Sequence, residues 1–200
     1  MFSDAFVRYN RLDFWLQICY NDFNFRRGGY EMAVNLKTKD LTLRPFAQGD
    51  RQTMGAILTN SQVRKTYMIP ELKTQEAIDR MFGRFMELSL AEDRYVAGIC
   101  LDGRVIGFLN DVTKDAERIE LGYVIDPAYH GKGYATQALK AAVEDLFSRG
   151  YREVVAGAFE ENPASIRVMI KAGMTRCPEE EDIEYLGTIH HCIYYSIKQQ

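Results

Sequence analysis

Cysteine is scarce in this 200-residue chain, and its four copies, Cys19, Cys100, Cys177 and Cys192, form no CxxC pair. That scatter argues against a disulfide framework and for a reducing compartment, so a cytoplasmic location is expected. Positive charge is not in excess either: 25 basic residues face 28 acidic ones, for a net charge of -3. Nothing global holds a polyanion, and nucleic acid is not an expected partner. Long apolar runs are also missing, because charges or glycines interrupt every stretch well short of the roughly 18 residues that suggest a membrane span. The opening MFSDAFVRYNRLDF is broken by Asp4 and Arg8 and offers neither a basic n-region nor a continuous apolar one. No membrane anchor is expected. Internal repeats and low-complexity tracts are absent as well. What remains, 46% hydrophobic and 26% charged residues, is an ordinary soluble composition at a length that suits one domain, with or without an appendage.

The hydrophobic pattern gives an order of elements. Residues 40–46 alternate as a strand, and Asp50 is placed as the N-cap of a helix carrying Met54, Ile57 and Leu58. A second helix follows Thr74, with Ile78, Met81, Phe82, Phe85 and Leu88 on one face. Two apolar runs within 95–112 flank Asp102-Gly103, a strong hairpin signal. The next strand, 117–126, places Ile119, Leu121, Tyr123 and Ile125 on one face and Glu120, Gly122 and Val124 on the other. A helix from about Tyr134 closes at Gly150, a strand covers 152–159, and Asn162-Pro163 starts another helix that stops at Gly173. Two more strands finish the chain. The sum, β-α-α-β-β-β-α-β-α-β-β, predicts an α/β (α+β) domain with antiparallel hairpins first and a strand-helix-strand crossover later.

The junction PAYHGKGYATQAL, residues 127–139, sets Gly131, Lys132 and Gly133 on the first turn of a helix. There, backbone N–H groups lack intrahelical partners, the helix dipole contributes about half a positive charge, and missing Cβ atoms admit a phosphate. The chemical reading is a pyrophosphate cradle; the plain one is a glycine-rich turn.

His130-Gly131-Lys132-Gly133-Tyr134-Ala135 resembles the acetyl-CoA-binding signature Q/R-x-x-G-x-G/A of the GCN5-related N-acetyltransferases (GNAT). His130 departs from the usual Gln or Arg. ELGYVIDPAYHGKGYATQAL and ENPASIRVMIKAGM are similar to the branch that acetylates the N-termini of ribosomal proteins (the RimJ/RimL type), over residues 40–198. The resemblance implies the GNAT fold, a central, mixed, mostly antiparallel sheet of about seven strands with helices on both faces. It also implies a sheet splayed between its fourth strand, around Glu120–Ile125, and its fifth, Val154–Ala158. Acetyl-CoA would be the co-substrate, with no metal. Its pantetheine arm would pair with backbone groups of Val124 and Ile125, its pyrophosphate would rest on residues 130–135, and Asn162 and Ser165 would also contact it.

Acetyl transfer to an amine needs a neutral amine, a polarised thioester carbonyl and a means of taking up the leaving thiolate. By resemblance, Glu120 stands where many relatives place a general base; as plain structure it is a solvent-facing strand residue. Ser165 is the matching candidate to protonate the sulfur; as plain structure it belongs to an ordinary first turn capped by Asn162. Many relatives place a Tyr four residues beyond that Ser, but here Met169 has no proton to give. Ser165 alone, Tyr123 or another tyrosine, or no acid at all are left, the last being tolerable for a thiol pKa of about 8.5. His190 and His191 are adjacent in a strand and point to opposite faces, a poor metal site. Cys100 and Cys192 are expected in the core. Glu179–Asp182 reads as a solvated loop that could rim a cleft for a cationic acceptor.

An α-amine with pKa near 7.8 is roughly 15% neutral at pH 7, and a lysine amine well under about 0.1%. With one modest base, a peptide or protein N-terminus is the expected acceptor, with a small-molecule amine (polyamine, amino acid or antibiotic) and a non-catalytic acetyl-CoA-binding module as alternatives. The protein would act as a monomer or homodimer. Residues 1–31, with the only tryptophan, Trp15, precede the family resemblance. Arg26-Arg27-Gly28-Gly29 can be written in purine-rich codons, so the expectation is a ribosome-binding site read through as protein and a functional domain spanning 32–200 from Met32. The rival is an extension whose aromatics pack on the domain or across a dimer.

Overall fold

The computed structural model describes residues 33–199, so the expectations about residues 1–31 and a start at Met32 lie outside the described residues. One eight-stranded sheet runs in the order β1-β2-β3-β4-β5-β6-β8-β7. The strands are β1 (Leu36–Lys37), β2 (Leu41–Arg44), β3 (Val96–Leu101), β4 (Arg104–Lys114), β5 (Arg118–Ile125), β6 (Glu153–Phe159), β7 (Thr175–Tyr185) and β8 (Thr188–Lys198). Only β5 and β6 pair in parallel; the other pairs are antiparallel. The helices are α1 (Arg51–Thr59), α2 (Ser61–Thr66), α3 (Gln75–Ser89), α4 (Tyr134–Ser148) and α5 (Pro163–Lys171). The two-residue β1 and the six-residue α2 go beyond the sequence expectation; neither is long enough to show a clear period. The extra β1 makes the splayed strands the fifth and sixth.

Helices cover both faces. On one, Ala138, Leu139, Ala142 and Leu146 of α4 and Met169 of α5 pack on Ile119, Leu121 and Ile125. On the other, α1, α2 and α3 pack on Phe108 and Val124. The parity of β5 therefore holds, with its odd and even residues entering different cores. In α3, Met81, Phe82, Phe85 and Leu88 are buried, each worth about 1.5–3 kcal/mol of transfer free energy. Phe85 meets Phe108 edge-on at 5.0 Å between ring centroids, and Phe85→Ala would cost about 3–5 kcal/mol. Thr74 caps the helix by accepting from the Ala77 N–H.

Three local expectations change. Asp50 does not cap α1 with its side chain; its carboxylate accepts from the Arg44 guanidinium at 2.7 and 2.9 Å and from the Ala47 N–H at 2.8 Å. Glu179–Asp182 is not a loop but the middle of β7, an edge strand that pairs only with β8. One edge and one face in water leave its carboxylates hydrated, so they do not oppose the strand. Glu120, read as solvent-facing if structural, is buried and accepts a hydrogen bond from the Thr113 hydroxyl. The hairpin at Asp102-Gly103 forms as expected, with φ of +48° and +82° at the two turn residues.

Candidate active site

β5 and β6 are paired only at Arg118–Glu120 against Glu153–Val155. Beyond Glu120 and Val155 they diverge, although β5 stays paired with β4 as far as Ile125 and β6 with β8 as far as Phe159. A cavity of about 320 Å³ passes through this gap, between Leu121–Ile125 and Gly157–Phe159. Strand-edge N–H and C=O groups facing it require partners, and an extended amide-bearing ligand supplies them.

The cavity continues onto the α4 turn, where His130, Gly131, Gly133, Tyr134 and Ala135 line it. Gly131 and Gly133 adopt φ of +75° and +81°, the left-handed region, and a Cβ on either would meet nothing within 4 Å. Gly133 is the N-cap of α4 and no side chain bonds its first turn, so the open N–H groups face a space that an anion fits. Lys132 does not line the cavity; its ammonium lies 5.6 Å from the centroid of the Tyr129 ring. His130 turns back rather than toward the turn: its Nε2 is 2.8 Å from the Ile125 carbonyl oxygen, and since a carbonyl only accepts, Nε2 carries the proton. The departure from Gln or Arg thus leaves a donor that pins the end of β5.

Asn162 and Ser165 line the same cavity. The Asn162 side chain caps α5 by accepting from the Ser165 N–H at 3.2 Å, which is the plain structural reading, and both remain beside the gap. The Ser165 Oγ lies 2.8 Å from the Tyr123 hydroxyl, which also reaches the Ser165 carbonyl at 3.2 Å. Met169 is fully buried. Glu120 is 9% exposed, hydrogen-bonds Thr113 at 3.2 Å and does not itself line the cavity. It sits at the last paired position, on the face of Gly122 and Val124. His190 and His191 part as expected, His190 stacking on Phe159 and pairing with Glu161, and His191 pairing with Asp182 at 2.9 Å. Among the described residues no cluster of His, Cys, Asp and Glu could hold a metal. Burial raises the Cys100 thiol to about 11, so it is an inert core group.

Several wall residues escaped the sequence reading, Tyr67 among them. Tyr67 lines the cavity and crosses Gly122 to donate to the Asn110 Oδ1 at 2.7 Å. A Cβ at Gly122 would lie 2.2 Å from the Tyr67 hydroxyl. A glycine within a strand was the available signal, since it marks close approach.

Residues 40–175 match the acetyltransferase (GNAT) domain of known proteins. The chain belongs to the GNAT acetyltransferase family. It is 30% identical over 155 residues to the uncharacterized N-acetyltransferase YnaD of Bacillus subtilis (strain 168), covering 72% of this chain and 84% of YnaD. Its fold is similar to RimL, a ribosomal L7/L12 alpha-N-protein acetyltransferase solved with coenzyme A (TM-score 0.69, 19% identity, 84% of this chain and 97% of RimL). It is also similar to the spermidine N-acetyltransferase of Vibrio cholerae solved with CoA and spermine (TM-score 0.68, 15% identity, 81% and 97%). Those identities carry the GNAT fold and leave the acceptor open. The splayed strands are thus the fold's gap, and the αL glycines flank it.

Proposed function

We propose that this GNAT protein transfers the acetyl group of acetyl-CoA directly to a primary amine, the α-amine of a peptide or protein N-terminus. The observation that carries the reading is the continuous cavity from the divergent edges of β5 and β6 to the uncapped first turn of α4. Backbone groups of Val124 and Ile125 hold the pantetheine arm, with the Ile125 carbonyl already engaged by His130. The turn from Gly131 to Ala135 takes the pyrophosphate, and Asn162 and Ser165 border the arm. Acetyl-CoA, when bound, supplies an acetyl group activated as a thioester.

The remaining chemistry belongs to side chains. Glu120, buried beside the start of the gap, takes the proton of the incoming ammonium through a water, as a base of modest strength suffices for an α-amine. Ser165 offers its hydroxyl proton to the departing sulfur, the Tyr123 hydroxyl at 2.8 Å replaces it, and water in the cavity that Tyr123 lines returns a proton to the phenol. This pair takes over the task that a tyrosine at position 169 would have had.

A polycationic acceptor is the weaker reading because the acidic strand is already compensated. Arg118 lies 3.4 Å from Glu179, Arg176 3.5 Å from Glu180 and His191 2.9 Å from Asp182, while the Tyr194 hydroxyl bonds Glu181. The test is acetyl-CoA turnover over a panel of N-terminal peptides, N-blocked lysine peptides and polyamines. Acetylation of peptide α-amines is expected. Turnover on polyamines alone would replace this acceptor by a small molecule, and binding of acetyl-CoA without turnover on any amine would make the protein a binding module.

A further inference from the structure

Tyr67 carries a hydroxyl whose direction is fixed from behind. The residue directly follows α2, and its ring meets Phe108 edge-on at 5.5 Å between centroids. Its carbonyl oxygen accepts from the Tyr185 hydroxyl at 3.4 Å, which also donates to the Ile69 carbonyl at 3.2 Å. The Tyr67 hydroxyl stands over Gly122, where a Cβ would lie 2.2 Å from it, and both residues line the cavity. Its partner, Asn110, is fully buried. The Asn110 Nδ2 lies 3.1 Å from the Asp111 carbonyl oxygen, and since a carbonyl only accepts, that amide atom is the nitrogen. The other amide atom, Oδ1, is therefore an acceptor, and the Tyr67 hydroxyl must direct its one proton to it, at 2.7 Å. Toward the cavity the Tyr67 oxygen can offer lone pairs only, so a ligand atom that bonds it has to be a donor.

Acetyl transfer brings a strong donor to this place, the nitrogen of the incoming α-amine, which arrives mostly as an ammonium at neutral pH. The described residues beside Tyr67 on this wall, Gln62, Val63, Thr66 and Met68, carry no charge and do not repel a cation. Gly122 follows Glu120 by two residues on the same face of β5, about 6.6 Å along the strand. A nitrogen held over Gly122 therefore lies about one water from the carboxylate that takes its proton. We propose that Tyr67 receives the acceptor: its hydroxyl oxygen accepts an N–H of the α-ammonium and holds the nitrogen over Gly122, while Asn110, acting through Tyr67, keeps that oxygen an acceptor. The N–H directed at Tyr67 is the one kept in the amide product, so Tyr67 takes up no proton. The inference rests on the α-amine reading above and adds the group that orients the nitrogen.

Calorimetry on the full chain loaded with coenzyme A, which lacks the acetyl group and so permits no turnover, tests it with two probes. One is a peptide with a free N-terminus, the other its des-amino analogue, in which hydrogen replaces the α-ammonium group. The wild-type protein is expected to favour the free peptide. Tyr67→Phe keeps the ring and removes the oxygen, and it should cut that preference by about tenfold or more, the scale of a hydrogen bond to a charged group. The affinities for the analogue and for acetyl-CoA should stay close to wild type, and in turnover the peptide KM should rise. Asn110→Ala frees the hydroxyl to turn its proton to the cavity, so the preference should shrink there too, and adding Tyr67→Phe should change it little further. The preference is a ratio of two ligands on one protein, so a lower melting temperature in the Asn110 variant does not imitate its loss. No preference in wild type, or one unchanged in Tyr67→Phe, overturns the role of Tyr67 while leaving the α-amine as acceptor. A fall in acetyl-CoA affinity in Tyr67→Phe would overturn it as well, by giving the hydroxyl to the donor, and a preference intact in Asn110→Ala would overturn the part given to Asn110. A wild-type protein that acetylates no peptide α-amine overturns both readings.

Discussion

Gly107→Ala tests whether the backbone of β5 is a docking edge. A Cβ on Gly107 would stand 2.1 Å from the Val124 carbonyl oxygen and 3.0 Å from the Ile125 Cα, both backbone atoms, and 2.9 Å from the Ile125 Cδ1. The side-chain tip can rotate aside, but the backbone cannot. Restoring the 3.4 Å at which ordinary contact begins requires the end of β5 to move by more than about 1 Å relative to β4, since at these separations repulsion rises steeply. Overpacking of this kind costs about 1–3 kcal/mol. In a domain of this size that is a fall in melting temperature of roughly 3–10 °C. The displaced segment carries Tyr123, Val124 and Ile125, so the functional loss should exceed the stability loss, and a misplacement of about 1 Å can cost up to 10²-fold in rate. Thermal unfolding by circular dichroism, calorimetry with acetyl-CoA and turnover on an N-terminal peptide read the three effects. Gly49→Ala is the control, because a Cβ there meets nothing within 4 Å. A Gly107→Ala protein with a lowered melting temperature but wild-type affinity and rate would refute the docking role of β5. An unchanged melting temperature would refute the close approach itself.

Gly133→Val places a β-branched residue at φ +81°, a strain of about 1–2 kcal/mol, while filling space where a phosphate approaches. Calorimetry should show acetyl-CoA affinity falling at least about tenfold with the fold retained, and unchanged affinity would remove the cradle. Tyr123→Phe and Ser165→Ala should each lower turnover, on the order of 10²-fold if the pair donates the proton, at constant acetyl-CoA affinity. Because they share one proton path, the double variant should lose little more than either single one; fully additive losses would separate them. Glu120→Gln should lower turnover most at low pH, where few amines are already neutral, and a deficit independent of pH would return Glu120 to a structural role. Burial raises the Asp50 carboxyl, but the Arg44 guanidinium and the Ala47 N–H outweigh it and leave its pKa below the ordinary 3.8. The stability this contributes is complete above the unfolded-state pKa and lost as pH falls through the folded one. Urea titrations should therefore find Asp50→Asn less stable at pH 7, with the gap narrowing below about pH 4; a gap constant down to pH 2 would contradict the ion pair.

Features that depend on neighbours in the chain were legible in the sequence. The Asp102-Gly103 turn, the glycine-rich turn before α4, the Asn162 cap and the alternating faces of β5 follow from steric and hydrogen-bonding rules that act within a few residues. The opening between β5 and β6 was legible only through family resemblance, since nothing in the period of either strand says where its pairing stops. Tertiary packing alone decided the rest. It buried Glu120 and carried Tyr67 across Gly122 to a partner 43 residues away, while His130 turned back to the end of its own strand, β5. It also kept Glu179–Asp182 in strand, because pairing with β8 satisfies one edge while water takes the charges. The reach of Tyr67 to Asn110 rests on a contact between segments far apart in sequence, which local propensity does not encode.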